Sequence, residues 1–246
     1  MINIKYEPSK YLLLGLYFWK SLSPTLFLSM KKYLVLFDFD GTLSDRDSLI
    51  DFFIFTHGVS RFFWNILLSL PVILIWKLGI LDVEKGKLHV INRFYKNWTR
   101  IKLNQKATAY LHERIPKILR NGAIDLIKSY QTEGNTIVIV SANIDIHLRV
   151  FCEYYNLDLI CTELQFENDI YIGRFATKDC NRQEKVVRVR KSYNKSNYQK
   201  TIAFGNSKGD KAMLDWADEG HYRYLEKYHT KHFKQAGKSC YSKGFM

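Results

Sequence analysis

The chain is poor in cysteine and in acid. Its four cysteines, Cys152, Cys161, Cys180 and Cys240, are scattered through 246 residues. None forms a Cys-x-x-Cys pair or another metal-type spacing, so neither a thiol-built metal site nor a disulfide framework is expected. They read as buried or incidental thiols in a reducing compartment. Asp and Glu number 24 against 37 Lys and Arg, giving a net charge of +13. That balance suits anionic partners: phosphate esters, acidic lipid surfaces or nucleic acid. Nucleic acid is not expected, because no motif that would place bases is present. The marks of disorder are also missing, since 47% of the residues are hydrophobic and 25% charged. The length allows one large domain, or a core with an inserted cap.

What the sequence does contain is an apolar run that ends in acid. Residues Tyr33-Leu34-Val35-Leu36-Phe37 lead into Asp38-Phe39-Asp40-Gly41-Thr42-Leu43. A strand buried on both faces reads this way, and its carboxyl end is where open α/β sheets bind ligands. Residues two apart on a strand point to the same side, so Asp38 and Asp40 are expected to face one cleft if the strand stays regular. Two carboxylates placed together require a cation, a proton, or both. Gly41 lets the chain turn away sharply. A strand capped by an ordinary Asp-Gly turn would explain Asp40 and Gly41, but not the acid at Asp38.

This stretch resembles the first motif of the haloacid dehalogenase-like hydrolase superfamily, whose phosphatases carry Asp-x-Asp-Gly-Thr. Three further segments match. The apolar strand Thr136–Val140 ends in Ser141, as in the second motif. The loop Lys178-Asp179-Cys180-Asn181-Arg182-Gln183-Glu184-Lys185 resembles the third, with Lys185 in the lysine position and Lys178 as the substitute. Thr201–Leu214 is strand, glycine-rich turn and helix, as in the fourth. There Asn206 stands where the first acid is usual, and Asp210 keeps the second. An amide oxygen can still ligate a hard cation, though with one less negative charge.

The resemblance covers about residue 30 to about 225. It implies an α/β fold: a three-layer Rossmann-like parallel-sheet core, residues 30–46 and 122–246, with an inserted all-helical cap, residues 47–121. The insertion and the 181–185 loop point to the phosphoserine phosphatase-like branch, and the apolar cap to its phosphatidylglycerophosphatase-like members. The implied reaction is Mg²⁺-dependent hydrolysis of a phosphate monoester through an aspartyl-phosphate. Asp38 is the implied nucleophile and Asp40 the acid and base. Ser141 and Lys185 contact the phosphate, with Gly41 and Thr42 beside it. The resemblance also implies that Asp38, the Asp40 carbonyl, Asn206 and Asp210 hold the Mg²⁺. Dehalogenation is disfavoured, since a halide leaving group needs no proton from Asp40. A non-catalytic anion-binding protein on the same fold is the other class, and Asn206 is its only support.

The rest of the chain is read from pattern. Residues 1–29 hold an apolar run, 11–19, shorter than the ~18 residues of a spanning helix, and lack a signal-peptide cleavage site. They are dispensable with a start at Met30, an interfacial anchor, or a packed segment. Asp47 or Ser48 caps a helix from Leu49. Phe62 to Leu81 is apolar nearly all round and broken by Pro71, so a helical pair packed inside the cap is expected. Its alternative is a lipid-facing surface that admits a lipid-borne phosphate. Residues 82–120 are amphipathic, strongly basic helices with a solvated face, or one turned to anionic headgroups. Helices are expected over 123–131 and 144–155, a strand over 157–162, and a hairpin over 164–175. The tail from His221 reads as a flexible terminus. The expected location is cytoplasmic, with peripheral contact at an anionic membrane.

Overall fold

The computed structural model describes residues 32–226. The expectations for residues 1–29 lie outside the described residues. Strand β1 is Tyr33–Phe37. A helical stretch follows, with α1 at Ser48–His57, α2 at Val59–Lys77, α3 at Val83–Tyr95, α4 at Arg100–Glu113 and the single turn α5 at Ile115–Ile118. Helix α6 (Ala123–Thr132) leads to β2 (Thr136–Ile144), α7 (Asp145–Tyr155) and β3 (Asp158–Thr162). Strands β4 (Leu164–Glu167) and β5 (Ile170–Phe175) form the expected antiparallel hairpin. Helix α8 (Gln183–Ser192), β6 (Lys200–Gly205), α9 (Lys211–Trp216) and β7 (Glu219–Tyr222) complete the described chain.

Five strands form one parallel sheet in the order β3-β2-β1-β6-β7. Alternation along β1 sends its side chains to two cores. Val35 and Phe37 join one, with Ala123 and Ile127 of α6 and Phe151 of α7. Leu34 and Leu36 join the other, with Val186 and Val189 of α8 and Met213 of α9. Helices therefore cover both faces, the three-layer arrangement expected of a wholly buried parallel sheet. The first core continues without a break into the helical stretch, through Phe52, Tyr95, Leu103 and Tyr110.

Several expectations change. The tail does not begin at His221, because His221 and Tyr222 belong to β7 and Leu225 is buried. The hairpin packs on the inserted helices. Asn92 of α3 accepts from the Tyr171 hydroxyl and donates to the Gly173 carbonyl, and Thr99 forms an isolated bridge with Ile170. Pro71 does not split its segment, since α2 runs unbroken from Val59 to Lys77.

The largest correction concerns packing. Helix α2 is expected inside the cap, yet Phe63, Trp64, Leu67, Leu70, Leu74 and Ile75 are exposed. The pattern alone could not decide this, because a helix apolar on every side fits a core and an uncovered surface equally well.

Candidate active site

The sheet reverses its strand order beside β1: the chain builds outward through β2 and β3, then returns to β6 on the other side of β1. The crevice at the carboxyl ends there is where such folds bind ligands. Strand β1 stops at Phe37, and the regular strand expected through Asp40 is not formed. Asp38 continues the pairing through its N–H to the Phe204 carbonyl (2.9 Å). The chain then makes a wide turn, Phe39–Leu43, closed by the Ser44 N–H on the Phe39 carbonyl (3.0 Å). Gly41 takes a left-handed φ of +75°, and a Cβ there would lie 2.0 Å from the Asn206 amide nitrogen. Glycine is thus required by the turn, and its bare Cα leaves room for the Asn206 side chain. The turn, not strand alternation, brings Asp38 and Asp40 to one cavity of about 470 Å³, which Ser141, Lys185, Asn206 and Asp210 also line.

Lys185 is the hub. It sits on the first turn of α8 and is buried, and its Nζ donates to Asp38 Oδ1 (2.6 Å), Asp210 Oδ1 (2.6 Å) and the Val140 carbonyl (2.8 Å). All three ammonium donors are thereby used. The substitute Lys178 is exposed. Burial pushes Asp38 above the usual carboxylate range against the pull of the Lys185 charge. Burial acts the same way on Asp210, but Lys185 and the Ser207 hydroxyl and N–H outweigh it and hold this acid low. Burial would lower Lys185, yet its two carboxylate partners raise it, so it stays charged.

Asp40 stands apart from this trio. Its Oδ1 accepts from the Ser48 N–H (2.7 Å) and its Oδ2 from the Asn143 amide (2.8 Å). Burial, with the Asp47 charge next, lifts its pKa to about 7. Both partners are donors, so a proton on Asp40 finds no acceptor in these contacts. Behind it, the Asn143 amide also donates to Ser48 Oγ (3.1 Å), which lies 2.9 Å from His147 Nε2. Burial drops His147 to about 3, so that ring is neutral.

The remaining expected residues divide. Ser141 is buried, and its Oγ accepts the Asn143 N–H (3.0 Å), leaving its own O–H free to turn to the cavity. Gly41 lines the cavity, but Thr42 does not. The Thr42 hydroxyl donates instead to Asp38 Oδ2 (3.0 Å), so it braces the carboxylate rather than facing a ligand. Sequence reasoning missed Asn143, although it stands only two residues beyond Ser141. It also missed Lys87, which lines the cavity and pairs with Asp179 (2.6 Å). Nothing in the run of basic helices sets Lys87 apart.

A divalent cation fits this centre on one test. Among the described residues no group of three or more His, Cys, Asp or Glu is placed to hold a metal. Any oxygen set here must therefore draw on backbone carbonyl, amide, hydroxyl or water oxygens besides Asp38 and Asp210. Asn206 Oδ1 is buried and has no hydrogen-bond partner among the described residues, an arrangement that costs free energy unless something binds it. Asp38, Asp210 and Lys185 sum to −1, so a phosphate dianion entering without a cation would be repelled.

Comparison with known proteins agrees with this geometry. The family model for haloacid dehalogenase-like hydrolases matches residues 35–215. Protein CicA of Caulobacter vibrioides is 31% identical over 194 residues, spanning 77% of this chain and 85% of that protein. Among solved structures the likeness is one of fold. A protein of unknown function from Bordetella pertussis Tohama I has a TM-score of 0.67 at 19% identity, over 76% of this chain and 88% of the other. A phospho-aspartyl intermediate analogue of phosphoserine phosphatase has a TM-score of 0.54 at 21% identity, over 80% and 90%. With the family model spanning most of the chain and the acid pair, serine, lysine and second acid in one cavity, this protein belongs to the haloacid dehalogenase-like hydrolases.

Proposed function

We propose that the protein is a phosphatase that hydrolyses a phosphate monoester through an aspartyl-phosphate on Asp38. The supporting observation is the convergence of Asp38 and Asp210 on one buried ammonium, with a carboxyl of pKa about 7 opening on the same cavity. Asp38 Oδ attacks phosphorus, and the bond from phosphorus to the ester oxygen breaks. Asp40 gives its proton to that oxygen, which leaves as an alcohol. Asp40, now ionised, takes a proton from water as that water attacks the aspartyl-phosphate. The bond from phosphorus to Asp38 breaks, inorganic phosphate forms, and both carboxyls return to their starting states. Lys185 keeps Asp38 ionised and in place, and Ser141 offers its hydroxyl to a phosphoryl oxygen. Asp38, Asp210, the Asn206 amide oxygen and the Asp40 carbonyl would hold Mg²⁺, which supplies the positive charge that lets a dianion approach a carboxylate. The phospho-aspartyl analogue of phosphoserine phosphatase, which shares the fold, supports the same intermediate here.

The test is turnover of p-nitrophenyl phosphate with and without Mg²⁺, followed by acid quench and peptide mapping. The expected result is Mg²⁺-dependent turnover and a hydroxylamine-labile phosphate on the peptide containing Asp38. Absence of turnover with Mg²⁺ would move the protein to the anion-binding class.

A further inference from the structure

Helix α2 is apolar on both its sheltered and its outer side. Its sheltered stripe is Phe62, Asn65, Ile66, Ser69, Ile73 and Trp76, at helical spacing, and includes both of its uncharged polar side chains beyond Ser60. The opposite side carries Phe63, Trp64, Leu67, Leu68, Leu74 and Ile75, with Phe63 64% and Trp64 62% exposed. A surface helix in water carries polar or charged residues on its outer side instead. From Phe52 to Leu81 there is no acid, and the two cations, Arg61 and Lys77, stand near the two ends of α2. The helix is 19 residues long, apolar along its length, and almost none of it is buried.

Beneath the helix lies a second cavity, of about 400 Å³, walled by Phe53, Phe62, Ile66, Ile73, Ile91 and Trp76 among others. Asp47, Leu49, Trp76 and Lys87 line both this cavity and the catalytic one. Trp76 is seated at the junction by Gly86 of α3, where a Cβ would lie 2.8 Å from the indole. A phosphate-binding chamber thus meets an apolar chamber, and the apolar chamber is roofed by a helix whose outer side is hydrocarbon.

We infer that the substrate is an amphiphilic phosphate monoester drawn from a lipid bilayer: its phosphate enters the Asp38 cavity, its apolar chain fills the cavity beneath α2, and the outer side of α2 lies in the membrane interface. The inference rests on the phosphatase reading of the site. A bilayer is favoured over a second copy by the charge pattern, since an acid-free apolar helix with a cation near each end matches an anionic lipid surface. A copy of this chain would bring its own +13 charge to the contact.

The experiment uses the full chain and has two arms. In the first, co-sedimentation is measured with phosphatidylcholine vesicles, with and without phosphatidic acid. The wild type binds, and binds better with phosphatidic acid. The double variant Leu67→Glu/Leu74→Glu, on the exposed side, loses at least about tenfold in partitioning. In the second arm, kcat/KM is measured for n-alkyl phosphates from ethyl to octyl, all below micelle formation. It rises by about fourfold per methylene that enters the cavity, and Ile73→Trp, or Ile66→Trp should that variant fail to fold, collapses the octyl-to-ethyl ratio. A flat chain-length series overturns the inference. So does vesicle binding indifferent to the double substitution, which would mean that another segment covers this side of α2. So does a wild-type dimer that the double substitution turns into a monomer without affecting vesicles. If no phosphate ester is turned over at all, the phosphatase reading fails. The chain subsite is then judged by direct binding of octyl phosphate: tight binding that Ile73→Trp abolishes upholds it, and none overturns it.

Discussion

At the carboxyl end of the sheet, Asp38, Lys185 and Asp210 are charged and buried. On α2, Phe63, Trp64 and Leu74 are apolar and exposed. Each arrangement costs free energy by itself. The buried charges lose their hydration, which their mutual attraction and hydrogen bonds must offset. The exposed hydrocarbon keeps its unfavourable contact with water. The difference lies in what completes each region. The charged trio is nearly complete within the chain, lacking only a partner for Asn206 Oδ1 and one unit of positive charge. The α2 surface has no partner among the described residues, so whatever completes it lies outside them.

The comparison can be broken most severely at the nucleophile. Asp38→Asn keeps the shape of the site but removes the attacking oxygen, and turnover of p-nitrophenyl phosphate should fall by about 10⁴-fold or more. Retention of even a tenth of the activity would refute the role given to Asp38. Lys185→Met leaves two buried carboxylates without a cation. It should destabilise the protein by about 3–5 kcal/mol in urea unfolding without metal, and added Mg²⁺ should raise the melting temperature of this variant more than that of the wild type. An unchanged urea midpoint would show that the trio contributes nothing to the fold.

Asp40 sharpens the electrostatic half. Its pKa is raised to about 7, so the protonated form needed by the leaving alcohol is lost as pH rises through that value. Turnover of an alkyl phosphate should then fall by about tenfold per pH unit above about 7 when leaving-group protonation limits the rate. Asp40→Asn should slow alkyl phosphates by about 10²-fold or more and p-nitrophenyl phosphate far less, since nitrophenolate leaves without a proton. Equal losses on both substrates would remove Asp40 from that role. Asn206→Asp adds a negative charge where the amide oxygen now stands, and should lower the Mg²⁺ concentration for half-maximal turnover by about tenfold. No shift there would place the cation elsewhere.

The smallest effect should come from α2. Leu74→Ala removes a side chain that is 58% exposed, and should change stability by no more than about 0.5 kcal/mol. Phe52→Ala, in the core shared by sheet and helices, should cost about 3–5 kcal/mol. A large loss at Leu74 would mean that the α2 surface is covered in solution.

Much of the catalytic end was legible because its spacing is local. Asp38 and Asp40 are two apart, Ser141 ends an apolar run, and Asp210 follows a glycine-rich turn. Lys185 was singled out through the likeness of its loop to the superfamily's third motif, and the structure sets its Nζ 2.6 Å from both Asp38 and Asp210. Asn143 and Lys87 were not legible in the same way. Each acquires its meaning from partners 103 and 92 residues away, Asp40 and Asp179, and neither stands in a pattern of its own.

The three-layer parallel sheet was implied by the family resemblance; composition and periodicity by themselves determined the buried strand, the helical stretch between β1 and α6, and the acid pair at the strand's end. Those features follow from backbone preference and from short-range spacing, which a linear string records. Tertiary structure alone decided which side of α2 is sheltered, that burial lifts the Asp40 carboxyl to about 7, and that an apolar chamber adjoins the phosphate site. Burial and charge pairing are set by what distant segments bring together, and a helix apolar on all sides carries no mark of which side will be covered.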